Sequence, residues 1–62
     1  MLMGTPKTRI IERRKRAEIW RAEVEVKRDP NAKAVRYVGE GFTRETALTN
    51  MFEAIHAAKR AA

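Results

Sequence analysis

Trp20-Arg21-Ala22-Glu23-Val24-Glu25-Val26-Lys27 alternates apolar and charged side chains without a break. A period of two with β-branched valines on one phase argues for a strand over 18–27, one face buried and the other in water. Arg28-Asp29-Pro30-Asn31-Ala32-Lys33 follows. Proline presets φ for the second position of a type I turn, and the Asp and Asn side chains bond nearby backbone, so the chain should reverse here. A second strand then runs over 34–40. Pairing Val26 with Val35 puts Val24 opposite Tyr37 and Ala22 opposite Gly39 on the apolar side. On the other side Glu25 faces Arg36 and Arg21 faces Glu40, two opposite-charge pairs worth about 0.2–1 kcal/mol each. Two independent patterns thus select one register.

Gly39-Glu40-Gly41 ends this strand, the glycines permitting the bend into a helix. Thr43 is a natural N-cap. Leu48, Met51, Phe52, Ile55 and Ala58 recur at helical spacing, so a helix over 44–60 should lay them across the Trp20, Val24 and Tyr37 face. Lys59 and Arg60 in its last turn complement the helix dipole. Trp20 and Tyr37 read as core, as do Met51 and Phe52.

The stretch 7–16 admits two conformations. Thr5 and Pro6 suit the cap and first residue of a short basic helix. Alternatively 8–13 forms a third strand beside the Trp20 strand, which the marginal stability of an isolated hairpin favours. The connection through Arg14, Lys15, Arg16 and Ala17 contains none of the usual turn residues. The expected architecture is α+β: a flexible tail over 1–6, then one β-β-β-α domain over 7–62 with a small antiparallel three-stranded sheet and a C-terminal helix on one face.

Charge is concentrated in the same stretch. Residues 7–16 hold six cations and one carboxylate, a net of +5, while 17–62 hold eight cations and seven carboxylates. A field this local points to a polyanionic partner. Arg9, Arg13, Arg14, Lys15 and Arg16 are the leading candidate contacts, with Lys27, Arg28 and Lys33 at the hairpin loop and Arg44 at the helix start as further phosphate contacts.

Other classes have little support. The chain has no Ser or Cys, one His and one Asp, so it lacks the means for a nucleophile–base pair or a thiolate metal site. No catalytic residue, metal or cofactor is expected, and His56 reads as a boundary residue on the helix. A chain of 62 residues buries only about 60% of its unfolded surface, which makes a homodimer a reasonable expectation. No apolar run approaches the ~20 residues of a membrane span, so a cytoplasmic location without membrane contact is expected.

Residues 20–55 resemble the later part of a double-stranded RNA-binding domain, through Trp20, Val24, Val26, Gly39, Gly41, Thr43, Arg44 and Ala47. That resemblance implies a β-β-β-α core and duplex RNA as ligand, with Arg13, Arg14, Lys15 and Arg16 in the loop that reaches the minor groove. The family's first helix has no counterpart, and Arg44, Glu45 and Leu48 stand where its phosphate-clamping lysines would be. Trp20-Arg21-Ala22-Glu23-Val24 and Gly41-Phe42-Thr43 with Glu45 and Ala47 are similar to integrase arm-binding and ethylene-response-type domains, which implies a sheet laid in the DNA major groove. Thr46-Ala47-Leu48-Thr49-Asn50 is similar to the helix of small antitoxins with a partial RNase-H fold.

The functional expectation is non-catalytic binding of duplex DNA or RNA through 7–16. The alternative is a small regulator, inhibitor or antitoxin-like module, phage- or plasmid-borne, docking on an acidic protein surface, with an open strand edge adding to the partner's sheet.

Overall fold

The computed structural model describes residues 2–61. Four strands, β1 (Leu2–Met3), β2 (Lys7–Arg14), β3 (Ala17–Lys27) and β4 (Val35–Gly41), precede one helix, α1 (Arg44–Ala61). All pairings are antiparallel and all involve β3. Val26 is paired with both Met3 and Val35, and Ala22 with both Thr8 and Gly39. Strands β1 and β2 therefore lie end to end along one edge of β3, and β4 lies along the other. The α+β, β-β-β-α reading holds, with an edge strand broken into two pieces.

That break is where the expected tail becomes structured. Leu2 pairs with Lys27, Met3 with Val26, and the Gly4 amide donates to the Glu25 carbonyl at 2.9 Å. From Met3 opposite Val26 to Lys7 opposite Glu23 the edge strand carries one extra residue. Pro6 falls in this irregular stretch, where its missing N–H costs no ladder bond.

β3 and β4 pair in the register that the two side-chain patterns select, from Val26 with Val35 to Trp20 with Gly41. The polar side carries the expected ion pairs, Arg21 to Glu40 at 2.9 Å and Arg36 to Glu25 at 3.9 Å. The intervening turn has the predicted chemistry: the Ala32 amide donates to the Asp29 carbonyl at 3.1 Å, and the Asn31 amide to the Asp29 carboxylate at 2.9 Å. Thr43 caps α1, its hydroxyl accepting from the Thr46 amide at 3.1 Å.

The core is small. Ala22, Val24 and Val26 of β3 meet Ala47, Met51 and Ile55 of α1, with Trp20, Tyr37 and Leu48 partly buried around them. Phe52, expected in the core, is 38% exposed, because it lies on the flank of the helix rather than under it. Gly39 and Gly41 also act differently from the expectation. Neither takes a positive φ; what they supply is space. A Cβ on Gly39 would stand 2.5 Å from the Ala47 carbonyl oxygen, 2.7 Å from the Asn50 carbonyl carbon and closer still to the Met51 nitrogen. One on Gly41 would stand 2.6 Å from the Thr46 methyl. The helix backbone rests on the backbone of β4, and the Asn50 side-chain amide donates to the Glu40 carbonyl at 2.6 Å. No helix among the described residues is long and apolar enough to cross a membrane.

Two outcomes follow from this seat. Gly39→Ala must lift the helix off β4, because the obstructing atoms are backbone; overpacking of this kind costs about 1–3 kcal/mol against a total of roughly 3–9 kcal/mol for a chain this size. Thermal unfolding followed by circular dichroism should show Tm falling by about 4–24 °C; an unchanged Tm would mean that the helix does not sit there. Asn50→Ala deletes one hydrogen bond and should cost about 1 kcal/mol, seen as a 4–8 °C drop by the usual scaling for small domains.

Candidate nucleic-acid interface

β4 stops opposite Trp20, but β2 and β3 continue. Beyond that point the sheet has only two strands, with Glu12, Arg13 and Arg14 paired to Ile19, Glu18 and Ala17. Lys15 and Arg16 make a two-residue turn, and neither has a positive φ. The usual signals for such a turn are glycine and asparagine at positive φ, which this turn does not need. An irregularity between Ile10 and Glu12 marks the root of the arm. The third strand is therefore present over Lys7–Arg14, and the basic stretch becomes one strand and the turn of a projecting ribbon.

The candidate residues separate into three environments. Arg9 lies on the outer face of the sheet, directly opposite Arg21. Like charges facing each other are unfavourable, but Glu23 lies near both, 3.7 Å from Arg9 and 4.0 Å from Arg21, and Arg21 reaches on to Glu40. The outer face thus carries a ladder of alternating charges. A phosphate approaching it would meet carboxylates already engaged, so a sheet-face docking is disfavoured.

The arm is different. Arg13, Arg14, Lys15 and Arg16 line one shallow concavity together with Ala17, Glu18 and Phe42. Arg13 pairs with Glu18 at 3.1 Å and Arg14 with Glu12 at 3.1 Å, all four side chains being well exposed. Such exposed pairs are worth about 0–1 kcal/mol, too little to hold a guanidinium against a competing phosphate. Lys15 and Arg16 have no ion-pair partner among the described residues. Arg44 opens the helix two residues after Phe42 and so belongs to the same end of the molecule.

Lys27, Arg28 and Lys33 do not join them. They lie at the far end of β3, with Lys33 in the loop before β4. Ten residue steps at ~3.3 Å place Lys27 about 33 Å from Ala17. The cations expected to cooperate thus form two clusters at opposite ends of an elongated molecule whose extents are 44 × 20 × 13 Å.

No cluster of three His, Cys, Asp or Glu side chains able to hold a metal ion occurs among the described residues. His56 is an exposed residue of the helix. The residue that the sequence reading passed over is Phe42, which is 68% exposed. It lies between the last paired residue of β4 and the helix cap, outside both the strand alternation and the helical stripe, and that exclusion from every core pattern was the available signal. Comparison with known proteins yields no match to this chain, whether among family models, curated proteins or solved structures.

Proposed function

We propose that this is a non-catalytic nucleic-acid-binding protein that grips duplex DNA with the β2–β3 arm. The observation that carries the reading is the projection of the ribbon past Trp20 with Arg13, Arg14, Lys15 and Arg16 at its end. The hairpin over 7–23 holds seven cations and three carboxylates, a net of +4 out of +6 for the chain. Two strands plus the turn extend about 10 Å beyond the three-stranded sheet at ~3.3 Å per residue. The B-form major groove is about 12 Å wide and about 8.5 Å deep and admits a two-stranded ribbon. The major groove of A-form RNA is too narrow for one, so DNA is favoured over RNA. Tip-first insertion leaves Lys27, Arg28 and Lys33 out of reach. Arg44 flanks the root of the arm as an auxiliary phosphate contact.

A second reading has one observation of its own. Among the described residues β2 is paired only to β3, so its other edge, with Lys7, Arg9, Arg13 and Arg14 along it, is open to an acidic strand from a protein partner.

Fluorescence anisotropy with labelled duplexes separates the two. Four phosphate contacts give a log–log salt slope near −3.6, or about a hundredfold loss of affinity between 50 and 200 mM salt. Replacing Arg13, Arg14 and Arg16 together by Ala should weaken DNA binding at least about tenfold and flatten that slope by about 2.7. The same three-charge change at Lys27, Arg28 and Lys33 should leave affinity within about twofold, because that end lies beyond contact. Equal losses from both triples would reduce the effect to net charge and sink the arm as the site. Melting of the Arg13/Arg14/Arg16 variant at a much lower temperature would show instead that the run is structural.

Glu18→Gln supplies a test of opposite sign. Removing the carboxylate that holds Arg13 should strengthen binding a few-fold, since an exposed pair of this kind contributes little to the fold. Weaker binding by this variant would mean that Glu18 positions Arg13 rather than competing for it.

A further inference from the structure

We propose that the concavity between the arm and Phe42 holds one unpaired nucleotide, its phosphate on the arm cations and its base stacked on the Phe42 ring. The inference rests on the arm's binding nucleic acid, as argued above, and names the form of nucleic acid preferred. Phe42 is the most exposed of the large apolar side chains among the described residues, at 68%. Singly exposed apolar side chains are common; what distinguishes Phe42 is that it lines one concavity with Arg13, Arg14, Lys15 and Arg16.

The ring is also held in place. On one side Gly41 closes the pairing with Trp20, and any side chain there would strike Thr46. On the other, Thr43 is committed to capping α1, with its hydroxyl on the Thr46 amide at 3.1 Å and donating to the Thr46 hydroxyl at 2.8 Å. With its backbone fixed at both neighbours, Phe42 cannot fold back onto the core. It faces the concavity lined by Arg13, Arg14, Lys15 and Arg16, whose carboxylate, Glu18, is already taken up by Arg13 at 3.1 Å.

An aromatic face beside a run of cations is the combination that binds single-stranded nucleic acid: backbone phosphates follow the charge and bases stack on the ring whatever their identity. Base faces inside a duplex are covered by their neighbours, so only an unpaired nucleotide, at an overhang, a junction or a flipped position, can use Phe42. With the arm in the groove and Phe42 at its root, the preferred ligand is a duplex bordered by single strand. The ring carries no hydrogen-bonding group, so this preference is for strandedness and not for sequence.

The test compares a blunt labelled DNA duplex with the same duplex carrying a short oligothymidine overhang, at one salt concentration, for the full chain and its Phe42→Leu and Phe42→Trp variants. The unsubstituted chain should bind the overhang duplex about tenfold more tightly than the blunt one, the typical worth of one stacked base. Phe42→Leu should lose that advantage while keeping its blunt-duplex affinity and Tm, and Phe42→Trp should retain it. If the chain binds both duplexes equally, or Phe42→Leu keeps the advantage, the nucleotide site is overturned and the arm stands. Failure to bind either duplex overturns both readings. Sedimentation of the protein alone provides the remaining outcome: self-association abolished by Phe42→Leu would assign the ring to a second copy of the chain and overturn the nucleotide site.

Discussion

The close approach of α1 to the backbone of β4 at Gly39 fixes most of what surrounds it. With Ala47, Asn50 and Met51 placed against a residue that has no side chain, the helix lies low over β4 and β3. Several consequences follow without further input. Met51 and Ile55 reach Ala22, Val24 and Val26, which become the centre of the core. Asn50 comes within reach of the Glu40 carbonyl. The helix begins beside Trp20, which brings Phe42 and Arg44 to the root of the arm. β2 is left with little cover, so its inward residues Thr8 and Ile10 are only half-buried. A larger residue at position 39 would change all of these together, because the atoms in the way are backbone and cannot swing aside.

Charge is organised by the central strand. Glu18 and Glu23 of β3 are aimed at arginines of β2, while Arg21 and Glu25 of the same strand reach across to β4. None of these pairs is buried deeply, so each adds little to stability. Their larger effect is to decide where uncompensated charge is left. It is reduced on the outer sheet face, while Lys15 and Arg16 at the arm tip and Lys27, Arg28 and Lys33 at the opposite loop have no ion-pair partner among the described residues. A count along the sequence cannot see this, since the carboxylates that neutralise the basic strand come from the strand beside it.

What could be read from the sequence follows the strength of the local pattern. The β3–β4 register was legible to the residue, because hydrophobic alternation and two opposite-charge pairs select the same alignment. The cap at Thr43 and the extent of α1 were legible from side-chain chemistry. The role of Gly39 was not: a glycine that bends the chain and a glycine that admits a neighbouring helix look alike until the helix is in place. Residues 1–6 read as a flexible tail, yet Leu2 and Met3 pair with β3 and the edge strand resumes at Lys7 after one extra residue. The turn at Lys15 and Arg16 gave no signal, since it stays at negative φ and any residue can occupy it. Phe42 offered one signal, its exclusion from both the strand alternation and the helical stripe, but only the register of its neighbours places it against the arm.

Binding of a polyanion to the arm, as proposed, would be coupled to folding. A two-stranded ribbon alone is marginal, and this one concentrates Arg13, Arg14, Lys15 and Arg16 within four positions, where they repel one another. Glu12 and Glu18 relieve part of that repulsion, and the continuity of β3 into the three-stranded sheet supplies the rest of the support. A line of phosphates would relieve it further, so a polyanion that binds the folded arm and not the unfolded chain stabilises the fold by mass action. The repulsion that weakens the free arm would therefore favour the proposed ligand. The carboxylates at 12 and 18 offset a small part of that repulsion through exposed pairs, weak enough for the proposed phosphate ligand to displace.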